Sequence, residues 1–323
     1  MLPNFTYLRP ASLKEAIKEL ASPDAWLHAG GADLLGCLRD GVFPAKKLVA
    51  IGGLAELRGI APAAGGSLRI GALTSLAEIA ASPLIAARYR ALAQGAASAA
   101  SPQLRNQATL GGNLCQRPRC WYYRGDFQCL RKGGDKCYAL EAENEFHCIF
   151  GGEGCYIVHP SDTAPALVAL QARARIAGPG GARGVPLQPF FLPPAKDFTR
   201  ENVLEPGEIL TEILLPPPPQ GLRSSYRKVR VRGSWDFGLA GVALALKATD
   251  GRTEWAGIVL SGAAPVPWRA TEAEKALTGQ RLDAQTASRV AAASLRSAAP
   301  LPQNGYKLDL VRGIVEEALM AMS

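Results

Sequence analysis

At 323 residues the chain is too long for one small hydrophobic core, and two domains are expected. Apolar residues make up 48% and charged residues 20%, as in ordinary globular proteins, and no stretch approaches the roughly 18 uncharged apolar residues of a membrane span. Membrane insertion is therefore not expected. The net charge of +8 comes from scattered basic residues without a run of five, so nucleic-acid binding is not expected either.

The N-terminal residues show neither a basic nor an apolar signal region. This predicts a cytoplasmic location, or a periplasmic one reached by co-export with a signal-bearing partner subunit. The cysteine count is seven, an odd number, which argues against a disulfide framework. Cys37 stands alone between leucines and is expected to be a buried apolar residue.

The first half of the chain predicts short strands and helices in mixed order. Two capping boxes, Ser12–Glu15 and Ser75–Glu78, each predict the start of a helix. Apolar runs predict strands at 26–28, 48–51 and 68–72, and an alanine-rich helix is expected from Ile85 to Ala99.

In the second half we expect helices at 163–174, 283–298 and 306–322, and a further helix that begins with a capping box at Thr271–Glu274. Strands are expected at 208–215, 226–232, 241–246 and 257–261. Alternation in the strand at 226–232 places Tyr226, Lys228, Arg230 and Arg232 on one face. Four prolines at 216–219 predict a stiff spacer, so the expected domains are 1–219 and 220–323. The mixture predicts an α+β fold.

Two glycine-rich segments offer backbone that an anion can approach. The first is Ala29, Gly30, Gly31, Ala32 and Asp33, directly after a predicted strand. The second, 103–113, adds a guanidinium, amides and a hydroxyl to a Gly-Gly pair. A tight turn explains the first segment at least as well as an anion site does. The second segment points more strongly to a binding role, with a polar loop between helix and strand as its alternative, and neither segment is the G-x-G-x-x-G dinucleotide fingerprint.

Six cysteines crowd into the 41 residues from Cys115 to Cys155. Their irregular spacings contain none of the C-x2-C pairs typical of structural zinc, whereas iron–sulfur clusters accept such spacings. His147 could also ligate a metal, but it lies in Phe146–Phe150, which is interpreted as a buried strand. An iron–sulfur cluster, a zinc site and plain core residues all remain open at this point.

The glycine-rich segments resemble a known family. Ala29–Gly31, Arg105–Asn113 and Ser161–Asp162 look like the flavin loops and Ser-Asp pair of the FAD-binding medium subunit of molybdenum hydroxylases, the xanthine dehydrogenase group. The resemblance covers nearly the whole chain. It implies a two-lobed FAD-binding domain of the vanillyl-alcohol-oxidase (PCMH) type, followed by a smaller α+β domain like that of the carbon monoxide dehydrogenase flavoprotein. The FAD-binding residues that it implies are Ala29, Gly30, Gly31, Ala32, Asp33, Arg105, Asn106, Thr109, Gly111, Gly112, Asn113, Ser161, Asp162, Leu210 and Lys228.

The cysteines fall in an insertion at 114–158, because 47 residues separate Asn113 from Ser161 where most relatives have few. Insertions here resemble those of the aldehyde oxidoreductase and 4-hydroxybenzoyl-CoA reductase branches, which carry an extra 4Fe-4S cluster. That resemblance implies ligation by Cys120, Cys129, Cys137 and Cys155, with Cys115 as the replacement candidate and Cys148 left over.

The function implied by the resemblance is electron transfer within a heterotrimeric aldehyde oxidoreductase. A molybdopterin-containing large subunit would oxidise the substrate, and a small subunit with two 2Fe-2S clusters would pass electrons to FAD on this chain. FAD would then reduce an external acceptor, and no catalytic residue is expected here. The alternatives are a hydroxybenzoyl-CoA reductase-like subunit, a stand-alone FAD-dependent oxidase, and a zinc-stapled binding protein.

Overall fold

The computed structural model describes residues 1–323 and confirms the α+β class. The strands are β1 (Thr6–Leu8), β2 (Ala25–His28), β3 (Lys47–Ala50), β4 (Ile60–Pro62), β5 (Leu68–Gly71), β6 (Arg173–Gly178), β7 (Gly181–Pro186), β8 (Ile209–Leu215), β9 (Arg223–Val229), β10 (Ala240–Thr249), β11 (Arg252–Ser261) and β12 (Trp268–Arg269). The helices are α1 (Leu13–Leu20), α2 (Leu34–Arg39), α3 (Leu76–Ala81), α4 (Pro83–Arg88), α5 (Arg90–Ser98), α6 (Pro102–Gln107), α7 (Leu110–Leu114), α8 (Trp121–Arg124), α9 (Thr163–Ala169), α10 (Thr271–Leu277), α11 (Ala284–Ala293) and α12 (Tyr306–Met320).

The N-terminal lobe is a small parallel sheet in the order β1-β3-β2, covered by α1. The predicted cap of α1 forms, since Ser12 accepts a hydrogen bond from the backbone of Glu15 at 3.2 Å. Ala16 on this helix is fully buried against Val49 of β3. This packing fixes the end of β2, from which the first glycine-rich segment leaves.

A five-stranded antiparallel sheet, β4-β5-β8-β6-β7, forms the second lobe with helices α3 to α5. The predicted helix at 85–99 is wrong at Tyr89, where the backbone leaves the helical region at φ −143°. Tyr89 is buried, and its hydroxyl donates to the carbonyl of Pro216 at 2.7 Å. The helix predicted at 163–174 also ends early, because Gln171 adopts φ +57° and the chain turns into β6.

The third sheet is antiparallel in the order β12-β11-β10-β9, and its strand β10 is buried on both faces from Ala240 to Leu246. Val242 and Leu244 on one face pack with helices α10 to α12, whereas Ala243 and Ala245 on the other join the core of the second lobe. The residues before and after the four prolines therefore share one core. Helix α10 lacks the predicted capping box, because its N-cap residue, Ala270, makes no side-chain bond.

The insertion at 114–158 contains one short helix and little other regular structure. The predicted strand at 146–150 does not form, and Phe146 is 43% exposed. Buried side chains from the C-terminal part hold this stretch instead. Asn304 donates to the carbonyls of His147 and Cys148, each at 3.1 Å, and Lys307 donates to that of Phe146 at 3.1 Å. No helix in the structure has the length and apolar character to cross a membrane.

Candidate functional site

A large cleft of about 1510 Å³ opens between the loop after β2 and the segment around α7. Both glycine-rich segments contribute to its wall. Eleven of the predicted binding residues line it: Ala29, Gly30, Gly31, Ala32, Asp33, Thr109, Gly111, Gly112, Asn113, Asp162 and Leu210. The tertiary structure thus brings together residues that are up to 181 positions apart in the sequence.

The two glycine-rich segments touch through bare backbone. A Cβ atom on Gly30 would lie 1.8 Å from the carbonyl oxygen of Gln107, which leaves no room for a side chain. Gly31 adopts φ +70°, a conformation that L side chains rarely take. At the other segment, a Cβ on Gly111 would meet Ala72 at 3.0 Å. Glycine is therefore required at position 30 by the approach of the two segments and is favoured at position 31 by the backbone conformation.

The second segment continues into α7, whose first turn Thr109 caps by accepting a hydrogen bond from Gly112 at 3.1 Å. Asn113 accepts hydrogen bonds from the hydroxyls of Ser161 and Thr163, both at 2.6 Å. Ser161 itself does not line the cleft. Its place in the structure is behind Asn113, where it holds the amide side chain in position.

Asp162 lies at the cleft wall with a buried side chain and two close donors. The Lys228 ammonium is 2.9 Å from one carboxylate oxygen, and the Tyr226 hydroxyl donates to the other at 2.7 Å. Burial raises the pKa of the Asp162 carboxyl, and the Lys228 ammonium opposes that shift. Lys228 is only 3% exposed and does not line the cleft. It therefore affects the cavity by pairing with Asp162, which does line it.

Two further predicted residues, Arg105 and Asn106, also lie outside the cleft wall. The Arg105 guanidinium donates to the carbonyl of Ala99 at 2.7 Å. It therefore ties α6 to the end of α5 in this structure, which supports the second segment from behind.

Asp33 joins the cleft to the cysteine insertion. Its carboxylate accepts hydrogen bonds from the backbone N–H of Arg117 at 2.7 Å, from Arg119 at 2.5 Å and from Arg124 at 2.7 Å. Burial acts to raise the pKa of Asp33, but Arg119 and Arg124 outweigh it and hold the pKa below its ordinary value. The sequence signal was the arginine-rich stretch 117–124, although nothing local identified Asp33 as its partner.

An aromatic loop after β9 also borders the cleft, and sequence reasoning missed it. Trp235 and Phe237 are 63% and 47% exposed at this edge, and the Arg119 guanidinium lies 5.0 Å from the centre of the Phe237 ring. The available signal was two large aromatic residues in a glycine- and serine-containing loop directly after a strand.

The insertion encloses a second, small cavity of about 20 Å³. All four predicted ligands line it, namely Cys120, Cys129, Cys137 and Cys155. The other cysteines lie elsewhere. Cys115 is in the wall of the large cleft and Cys148 is buried outside the cavity, while Cys37 is fully buried, as expected.

Hydrogen-bond donors surround these thiols. Backbone N–H groups of Tyr122 and Tyr123 bond Cys120, whose pKa burial nevertheless raises to about 12. His147 Nε2 is 3.3 Å from the Cys120 sulfur, and Arg131 lies in the wall of the same cavity as Cys155. Burial also lowers the pKa of His147 to about 4, so its imidazole is neutral near pH 7.

No three His, Cys, Asp or Glu side chains converge closely enough to share a single metal ion. A mononuclear zinc site would require that convergence. A cubane cluster does not, because each of its four thiolates binds a different iron atom. Cysteine side chains, which line this cavity, are the usual ligands of iron–sulfur clusters.

Residues 3–218 match the family described as the FAD binding domain in molybdopterin dehydrogenase. Residues 224–322 match the carbon monoxide dehydrogenase flavoprotein C-terminal domain. The aldehyde oxidoreductase FAD-binding subunit PaoB of Escherichia coli K12 is 36% identical over 320 residues, which cover 98% of this chain and 97% of that protein. The carbon monoxide dehydrogenase medium chain of Hydrogenophaga pseudoflava is 28% identical over 99% of this chain and 97% of its own length.

Solved structures agree with these matches. A carbon monoxide dehydrogenase chain from Hydrogenophaga pseudoflava superposes with a TM-score of 0.79 at 28% identity, covering 99% of this chain and 98% of its own. Quinoline 2-oxidoreductase from Pseudomonas putida 86 gives a TM-score of 0.78 at 25% identity, covering 99% of this chain and 97% of its own.

Proposed function

The chain belongs to the FAD-binding subunits of the molybdopterin dehydrogenase family and is an oxidoreductase subunit; we propose that it carries electrons from FAD in the large cleft to an external acceptor. The observation that carries the site assignment is the meeting of the two glycine-rich segments at Gly30 and Gln107 in the cleft wall. Exposed backbone at such a place suits a pyrophosphate.

The residues of the cleft fit FAD in the following way. Gly30, Gly31, Thr109, Gly111 and Gly112 would face the pyrophosphate, because glycines lack the side chains that would keep it away from the backbone. Asn113 and Asp162 would hold the ribityl or adenosine part, and Leu210 gives an apolar wall. The other predicted residues do not line the cleft and would support its wall: Ser161, Lys228, Arg105 and Asn106.

FAD supplies the ability to exchange electrons singly on one side and in pairs on the other. This chain contributes binding and orientation, and its buried Lys228–Asp162 pair sets the local charge. We propose a molybdopterin-containing large subunit and a small subunit with two 2Fe-2S clusters as partners in a heterotrimer. The 36% identity to an aldehyde oxidoreductase subunit favours an aldehyde as the substrate of that assembly. We further propose domains at 1–219 and 220–323 that pack on a shared core.

A 4Fe-4S cluster bound by Cys120, Cys129, Cys137 and Cys155 completes the proposal. The ligand set is the one that the resemblance implies, and the placement of these residues in the chain supports it. Four thiols line one buried cavity, and backbone N–H groups already point at Cys120. Such N–H groups stabilise sulfur ligands that carry negative charge.

Anaerobic purification with absorption spectroscopy and iron analysis tests both cofactors. Flavin bands with about four irons per chain would support the proposal in full. Flavin without iron would refute the cluster and leave the FAD site standing. A chain that takes up zinc and no flavin would contradict both.

A further inference from the structure

We infer that Arg131 and His147 donate hydrogen bonds to the sulfur atoms of the proposed cluster and raise its reduction potential. This inference rests on the cluster proposed above. Neither residue is required as a ligand, and both are positioning residues whose effect is carried by hydrogen bonds and charge.

The first observation is a pair of unpartnered buried nitrogens. Only three buried side-chain N or O atoms in the chain lack a hydrogen-bond partner: Arg131 Nε, His147 Nδ1 and His159 Nε2. Two of the three belong to residues that line the small cysteine cavity. Of these nitrogens Arg131 Nε always carries a hydrogen, and a buried N–H without an acceptor costs about 1–3 kcal/mol, so an acceptor for it is expected in the cavity. His147 supports the inference through its other ring nitrogen, Nε2.

Arg131 is held rigidly beside the cavity. Its terminal nitrogens are occupied by Glu201 and by the carbonyl of Phe198, and its side chain is 2% exposed. The Nε–H is consequently fixed in direction and free to donate. The acceptors within reach of this cavity wall are the sulfur atoms of a bound cluster and the sulfur of Cys155.

His147 is held by the opposite wall. Its Nε2 lies 3.3 Å from the Cys120 sulfur, and its ring packs edge-on against Trp121 and face-on against Tyr122. A thiolate ligand carries no proton, so the contact becomes a hydrogen bond only when Nε2 carries the hydrogen of the neutral ring. Nδ1 then holds only a lone pair, which is consistent with its lack of a partner.

Both contacts act in the same direction. Reduction adds negative charge to an already anionic cluster, and hydrogen bonds to its sulfurs favour the reduced form.

The test is a reductive titration of the anaerobically purified protein, followed by the electron paramagnetic resonance of the reduced cluster. His147→Phe keeps the ring and removes the donor, and Arg131→Lys keeps the charge and removes Nε–H. We expect each variant to lower the ratio of reduced to oxidised cluster at a fixed potential at least tenfold, which is 59 mV for one electron. His147→Gln retains an N–H and should recover part of that loss. Tyr138→Phe, in the same cavity without an N–H, is the matched control and should stay within twofold.

Iron content separates the outcomes. Wild-type protein without iron overturns the cluster and this inference together. Full iron with unshifted ratios in both variants overturns the inference and leaves the cluster intact. Loss of iron from His147→Phe makes His147 a ligand and overturns its role as a donor. If Arg131→Lys does not fold, the comparison of His147→Phe with His147→Gln still decides the outcome.

Discussion

The substitution Gly30→Ala tests how closely the two glycine-rich segments must approach each other. The new Cβ would lie 1.8 Å from the carbonyl oxygen of Gln107, whereas real Cβ atoms essentially never come closer than 3.0 Å. The loops would have to separate by about 1.2 Å at this point. The oxygen of Gln107 belongs to the backbone, and the position of the new Cβ is fixed by the backbone of residue 30, so no side-chain rotation can relieve the clash.

Overpacking of this kind costs about 1–3 kcal/mol. In the free chain the loops can relax apart, but FAD requires both to face its pyrophosphate, so we assign most of the strain to the bound state. Since about 1.4 kcal/mol corresponds to a factor of ten, the dissociation constant for FAD should rise roughly 5- to 150-fold.

The assay is titration of deflavinated protein with FAD, followed by quenching of flavin fluorescence. Gly52→Ala is the matched control, because a Cβ there meets nothing within 4 Å and its φ is ordinary. Far-ultraviolet circular dichroism should be unchanged in both variants. Affinity for Gly30→Ala within twofold of the wild type would refute the reasoning that contact between the loops shapes the site.

Three other predictions concern charges and thiols. Lys228→Met should lower the free energy of unfolding by about 3–5 kcal/mol, because it leaves Asp162 buried without its cationic partner. Adding Asp162→Asn should recover at least half of that loss, as measured by denaturant unfolding. Equal stability of the single and double variants would contradict this. Cys137→Ser should lose iron while Cys148→Ser keeps it, as measured by iron per chain, and full iron in both would refute the ligand set. Asp33→Asn removes the anion shared by two arginines and should increase hydrogen exchange at 114–124 several-fold, whereas unchanged protection would show that Asp33 does not anchor the insertion.

Local signals in the sequence predicted much of the fold. Ser12 and Ser75 form the caps that their spacing indicates, and the strands at 26–28, 68–72 and 208–215 appear within about a residue of the prediction. These elements depend on groups a few positions apart, so a single sequence is sufficient to place them.

The failures share a long-range cause. Tyr89 breaks a helix because its hydroxyl reaches Pro216, 127 positions away. The stretch around Cys148 has the apolar pattern of a strand. The carbonyl of Cys148, however, accepts a hydrogen bond from the side chain of Asn304 and not from a neighbouring strand. Glu274 does not complete a capping box, because its carboxylate accepts from the backbone of Ile258 at 2.9 Å and from Arg269.

The sequence by itself determined the residue types of both candidate sites. It supplied glycines where backbone must approach backbone, and four thiols that could share one cluster. Only the tertiary structure decided which neighbour each charged group faces. Asp33 pairs with arginines more than 80 positions away, and Lys228 faces Asp162 across 66 positions. Charge pairing depends on distance in space and on burial, and the local order of residues encodes neither.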